Sequence, residues 1–278
     1  MTERRFLVSA EDFLRGEGAG GNEALIRGAE HHHLSRVLRL KAGDAVSVFD
    51  GAGRGYRGVI GSVGKDSTRV ALAELDDRAV EPAFHLTLAQ GLPHHDKMDL
   101  IIQKTTEVGV GEIVPIVSDR SVIRPGRDGE FRRLERWRRV AREAARQSGR
   151  LRIPDVASPV SWPEFVNARQ GDAGMARLQF GVGEPAGGGS GHLEVGPGAR
   201  SAIVAVGPEG GWTPQEVSIG LAHGFEQIAL GPRILRTETA GIVAVSLVLF
   251  LAGELGVSPG HGSDTLPGRA SPGRRDLS

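Results

Sequence analysis

Arg233, Arg236, Thr237, Glu238 and Thr239 fall within seven residues of one another, directly after Gly231 and Pro232. Three charges in six residues beside an apolar segment are costly to bury unless they pair or act on a ligand. Two readings follow. Arg236 and Glu238 form a structural pair at a helix end that a threonine hydroxyl caps, or these groups face a bound molecule. About twenty residues upstream lies a second turn, Val206-Gly207-Pro208-Glu209-Gly210-Gly211-Trp212. Glycine at three of its five central positions permits positive φ and lets a ligand approach the backbone closely. No Lys, Ser or Thr lies within this turn to grip a polyphosphate. Its N–H and C=O groups suit the edge of a planar base, so the pair of turns points to a nucleotide-like ligand.

Each turn follows a short apolar run, residues 202–206 and 228–230, and precedes a helical pattern. Thr213-Pro214-Gln215-Glu216 combines a threonine cap, proline at the first helical position and glutamate three residues after the cap. The last helix is expected over residues 237–252. Two strand–loop–helix junctions this close together place both loops at the carboxyl edge of a parallel sheet, where α/β proteins bind ligands. Further strands over 85–89 and 112–117, and helices over 97–108 and 134–147, extend the alternation and predict a mostly parallel α/β sheet. Residues 1–78 read differently. Strands over 45–49, 56–63 and 68–75, a turn at Asp50-Gly51-Ala52-Gly53 and one short helix over 30–38 predict a small β-rich domain. The expected organisation is 1–78, then 79–256, then a disordered tail over 257–278 whose Gly, Pro, Ser and Arg cannot bury enough surface to order. Residues 76–82 read as a polar hinge and 181–197 as a mobile glycine-rich loop.

Composition narrows the chemistry. The chain has 278 residues, 39% of them hydrophobic, and no cysteine, which removes disulfides, thiolate catalysis and cysteine-based metal sites. The longest apolar stretch, 240–252, is too short to span a bilayer, and no signal-peptide core follows the first residues. A cytoplasmic protein is expected. Net charge is zero, yet residues 132–152 hold nine Arg and two acids. That segment is either a phosphate-attracting surface or a solvated helix face met by acids from elsewhere.

Other motifs fail for lack of context. Gly16-Glu17-Gly18-Ala19-Gly20-Gly21 matches a dinucleotide fingerprint but has no adequate strand before it or helix after it. Residues 58–67 approach a phosphate-binding loop, with one glycine displaced and Asp66 in place of the hydroxyl residue. Neighbouring residues in His31-His32-His33, or in the pair His94-His95, cannot share one face of a helix or strand, so no metal site is expected.

Taken together, Gly-Pro-Glu-Gly-Gly-Trp at 207–212 and Leu-Gly-Pro-Arg-Ile-Leu-Arg-Thr-Glu-Thr-Ala at 230–240 resemble the signature of the RsmE family. These are bacterial 16S ribosomal RNA (uridine-N3) methyltransferases of the SPOUT class. The segments 33–39, 49–51, 97–109, 118–121 and 145–150 agree in order, so the resemblance runs over roughly residues 5–255. It departs at His94-His95, where Lys-Gly is usual, and after Phe180-Gly181, where a histidine is common. The resemblance implies a PUA-like β-barrel, then a SPOUT domain with a deep C-terminal trefoil knot, in a homodimer. It implies S-adenosylmethionine in the knot loops. Gly207, Pro208, Glu209, Gly210, Gly211, Leu230, Gly231, Ile234, Leu235, Arg236, Thr237 and Thr239 would line that pocket, with Leu178 and Gln179 as a third wall. The substrate would be 16S ribosomal RNA or the small subunit, with Arg36, Arg39, Lys97, Arg120, Arg146 and Arg150 on its backbone. Arg236 would favour the deprotonated uracil, and Glu238 would accept a proton or hold Arg236. The cofactor turns by themselves leave open another RNA or a ribose 2′-hydroxyl as the target, or a non-catalytic RNA-binding assembly protein.

Overall fold

A computed structural model describes residues 4–14, 22–76, 78, 80–94, 96–121, 127–169, 174–181, 193–196 and 198–256. The glycine match at 16–21, most of the 181–197 stretch and the 257–278 tail lie outside these residues.

The first part of the chain forms one six-stranded sheet. Its strands are β1 (Arg5–Leu7), β2 (Phe13–Leu14), β3 (Glu23–Arg27), β4 (Ala45–Phe49), β5 (Gly55–Val63) and β6 (Ser67–Leu75), in the order β1-β4-β5-β6-β3-β2. Between β3 and β4 lies α1 (Gly28–His32), which continues as a π-helical turn over His33–Val37. Phe6, Ile26, Val46, Val48, Ile60 and Val70 point inward and Leu34 closes the core. The 58–67 segment belongs to the β5–β6 hairpin. No helix follows it, so it offers no N-terminus for phosphate. The three histidines diverge: His31 is buried, with Nδ1 2.9 Å from Thr68 Oγ1, while His32 is exposed.

The second part alternates strand and helix. It comprises β7 (His85–Gly91), α2 (Lys97–Val108), β8 (Glu112–Val117), α3 (Arg127–Ser148), β9 (Asp155–Val156), β10 (Val160–Ser161), α4 (Trp162–Ala168), β11 (Met175–Gly181), β12 (Ser201–Val206), α5 (Pro214–Ala222), β13 (Glu226–Ala229) and α6 (Thr237–Leu251). The sheet order is β10-β8-β7-β12-β11-β13, with β9 also on β8. Every pairing is parallel. Both faces are covered, which is why the strands read as unbroken apolar runs. Ala202, Val204 and Val206 share a core with residues of α2, α3 and α6, including Ile101, Trp137 and Val245. Ile203 and Ala205 point the other way, into Trp162, Phe165, Trp212 and Phe225. The order matters for the site: β11 lies between β12 and β13, so its carboxyl end sits between the two turns.

The two parts are tied together. The buried Arg5 donates to the carbonyls of Gly149 (2.6 Å) and Arg150 (2.9 Å). Ile153 N–H donates to Gly51 O at 2.9 Å. Glu81 Oε1 accepts from the backbone N–H of Leu151 (2.7 Å) and Arg152 (2.9 Å), and its Oε2 meets Arg150 at 2.9 Å. The expected hinge at 76–82 is therefore a clasp, because its acid takes up the backbone donors of Leu151 and Arg152 and pairs with Arg150.

Candidate functional site

At the carboxyl edge the two turns and the end of β11 enclose a cavity of about 820 Å³. The first turn is closed by Gly211 N–H donating to Pro208 O at 2.8 Å, with Gly211 at φ +67°. It sits hard against β7. A Cβ on Gly91 would lie 2.5 Å from the backbone N of Pro208, so only glycine lets the turn approach. The Thr213 cap anticipated from the sequence forms with a full capping box, and it starts α5 directly behind the turn. Trp212 Nε1 donates to Phe180 O at 3.1 Å, which fixes the end of β11 to the same turn.

The second turn leaves β13 and enters α6. Thr237 Oγ1 donates to Gly207 O at 2.6 Å and accepts from Gln90 Nε2 at 2.9 Å, so this hydroxyl joins both turns to β7. Between those anchors the turn is open. Gly231, Pro232, Arg233, Ile234 and Arg236 are exposed, Ile234 by 80%. The Arg236 side chain makes no ion pair or hydrogen bond among the described residues.

Charges gather on one side of the cavity. Lys97, the first residue of α2, places Nζ 2.9 Å from Glu209 Oε1 and 3.2 Å from Glu238 Oε2. His94 N–H adds a bond to Glu209 at 3.1 Å. Burial would raise the Glu209 carboxyl, but its hydrogen bonds from Lys97 and from backbone N–H groups outweigh that and hold it below the usual glutamate range. The hydrogen bond to Glu209, with help from Glu238, holds the Lys97 ammonium above the usual lysine range. Glu238 therefore faces Lys97 rather than Arg236 and lies off the cavity lining, so the reading in which Arg236 and Glu238 pair is not the one the structure shows. Lys97, expected on RNA backbone, instead lines the cavity.

Other expectations need correcting too. The third wall is Phe180 and Gly181. Leu178 belongs to the core beneath, and Gln179 is fully buried with its Oε1 accepting from Gln227 at 2.7 Å. Gly210 lies off the lining, its carbonyl taken by Arg120 Nη1 at 2.8 Å, and Thr239 is exposed on α6 away from it. Gly207, Pro208, Glu209, Gly211, Leu230, Gly231, Ile234, Leu235, Arg236 and Thr237 do line the cavity. Among the expected RNA contacts, Arg36 and Arg39 are exposed, Arg39 with an unusual positive φ of 53°. Arg150 is 5% exposed and its guanidinium is consumed by Glu81 and the carbonyls of Thr106 and Val110, so it cannot reach RNA. Arg146 pairs with Glu143 and Glu30. Gln90 went unnoticed in the sequence: a single amide ending an apolar strand is its only mark.

Comparison with known proteins gives this fold and cavity their class, that of the RNA methyltransferases. A family model described as an RNA methyltransferase domain matches residues 80–249, and an RNA methyltransferase PUA domain matches 26–72. The chain is 35% identical to the ribosomal RNA small subunit methyltransferase E of Synechocystis, over 79% of this chain and 70% of that protein. To the Bacillus subtilis protein of the same name it is 32% identical, over 81% and 89%. The Neisseria gonorrhoeae member, crystallised with S-adenosyl methionine, superposes with a TM-score of 0.75 at 27% identity, covering 90% of this chain and 98% of that one. A Legionella pneumophila methyltransferase with the same bound cofactor gives 0.76 at 27% identity over the same shares. The chain belongs to the ribosomal RNA small subunit methyltransferase E family.

Proposed function

We propose that this chain transfers a methyl group from S-adenosylmethionine to N3 of a uridine in 16S ribosomal RNA. The observation that carries the reading is the cavity itself: two glycine turns, two arginines unpaired among the described residues and a lysine held between two carboxylates. Its residues suit the cofactor. Val206, Leu230, Leu235 and Ala240 offer an apolar bed for an adenine ring. Backbone groups of both turns suit its polar edge, and the carboxylates suit cationic groups. When bound, the cofactor supplies an electrophilic methyl on a sulfonium.

The chain's own residues must do the rest. Uridine N3 carries a proton and is a poor nucleophile until that proton leaves. Arg236, exposed at the cavity and free of an internal partner, stabilises the uracil anion electrostatically. We assign proton acceptance to Glu238, which lies behind Lys97, with Glu209 as the carboxylate on the cavity lining itself. N3 also lies on the pairing edge, so the base must be unpaired or extruded to reach the cavity. Arg36, Arg39, Arg120 and the outward arginines of α3 would hold the RNA backbone. We assign residues 1–78 to RNA binding and 79–256 to the methyltransferase domain. We place a trefoil knot at its C-terminal end. It is supported by the Thr237 bond that locks the start of α6 against Gly207. A homodimer is supported by the apolar residues Leu247, Phe250 and Leu251, exposed on α6.

Mass mapping of modified uridines in 16S RNA tests the reaction. Deleting the gene should remove one N3-methyluridine and the intact chain should restore it; an unchanged profile overturns the reading. Arg236→Ala should lower turnover at least about 100-fold while cofactor affinity stays within a few fold.

A further inference from the structure

Lys97 stands between two acids, and one cation between two anions leaves a negative charge in surplus. Glu238 is the poorly solvated member. Its side chain is 13% exposed, and its buried Oε2 has the ammonium at 3.2 Å as a charge contact but accepts no hydrogen bond. A buried carboxylate oxygen that accepts no hydrogen bond is costly even beside a cation, and its place in the first turn of α6 offsets only part of that. Arg233 and Arg236 line the same cavity but are exposed and bond to neither acid. A purely structural ion pair would need one carboxylate. The second is accounted for if a cation arrives from outside.

The proposed cofactor brings such a cation. S-adenosylmethionine carries one more positive charge than the thioether S-adenosylhomocysteine left after transfer. We propose that the Glu209–Lys97–Glu238 cluster discriminates cofactor from product by charge. Lys97, on the cavity lining beside Glu209, acts as a positioning residue that holds Glu238 directly behind that wall. The cluster's surplus negative charge retains the sulfonium form and gives the product, which lacks that charge, no such attraction. This rests on the cofactor reading above and adds a selection between its two forms. Lys97 reaches the wall from α2 and Glu209 from the first turn, with Glu238 of α6 behind them, so the cluster also ties three chain segments around one charge.

Calorimetric titration of the full-length protein with each of the two compounds tests it. Glu238→Gln removes one negative charge at constant shape. It should shift the affinity ratio toward the product on the order of tenfold, as one unit charge in a partly solvated site does. Lys97→Gln removes a positive charge and should shift the ratio the other way. A merely structural cluster would weaken both ligands alike and leave the ratio alone. An unchanged ratio in Glu238→Gln, or shifts of the same sign in both variants, overturns the proposal. If Lys97→Gln does not fold, Glu209→Gln replaces it and must move the ratio in the same direction as Glu238→Gln. Failure of the unmutated protein to bind either compound would instead overturn the cofactor reading itself.

Discussion

The two turns share a sheet edge and a glycine-rich composition, yet they are built in opposite ways. The first is held from every side. Thr237 bonds to Gly207, Arg120 to Gly210, Lys97 and His94 to Glu209, and Gly91 packs beneath Pro208. The second is anchored only at its ends, with five residues between Leu230 and Thr237 exposed. A pocket made this way has one preformed wall and one wall that a ligand or a second copy must complete. Preformed contacts lower the ordering cost of binding, whereas an open segment incurs it when the ligand arrives.

Several changes would break or sharpen that contrast. Gly91→Ala should act most strongly, because the new Cβ meets backbone that cannot swing aside. We expect a loss of about 3 kcal/mol in denaturant unfolding, with cofactor affinity falling at least tenfold; a wild-type melt would show that the first turn is not tightly seated. Thr237→Val removes the hydroxyl that serves both Gly207 O and Gln90, leaving Gly207 O and one N–H of the buried Gln90 amide without this partner, while Gly91 O keeps the other. A loss of about 2 kcal/mol is expected, and a neutral result would uncouple the turns. The lowered Glu209 carboxyl gives a smaller, pH-dependent effect. A depressed folded-state pKa contributes stability that is present above the ordinary glutamate range and is lost as pH falls through the folded value. Thermal melts between neutral and acid pH should therefore fall less steeply in Glu209→Gln than in the unmutated chain. Arg233→Ala, in the open turn, should change stability by less than about 0.5 kcal/mol; a larger loss would mean that this wall is already packed.

Much of this architecture could be read from the residues. The apolar runs before each turn are strands, the Thr213–Glu216 capping box starts α5, and Gly109 ends α2 at φ +123°. These are local signals, set by propensity and cap chemistry. What could not be read depends on which distant elements meet. Lys97 looked like a surface cation because nothing local shows that α2 begins beside the 207–211 turn. The resemblance implies Leu178 and Gln179 as a wall, but β11 runs on to Gly181, which carries the wall past them. Arg150 follows Gly149, whose positive φ of 86° ends the helical path and turns the next side chain inward. Extending the spacing of the exposed α3 arginines past that point therefore misplaces it. The inward face of α3 was better marked, since Leu134, Trp137, Ala141, Ala144 and Ala145 repeat at helical spacing and are all buried.

The Glu81 clasp has a consequence for how a target would be chosen. Glu81 fixes the connecting segment to residues 150–152, and with Arg5 and Gly51 bonded across the boundary to Gly149, Arg150 and Ile153, the amino-terminal sheet cannot swing relative to the cavity without breaking these polar contacts. The molecule then works as a jig of fixed span: an RNA gripped on the first sheet presents to the cavity only what lies one set distance away. Selection by reach requires no side chain to recognise the flanking letters, only a substrate folded rigidly enough to keep the measure.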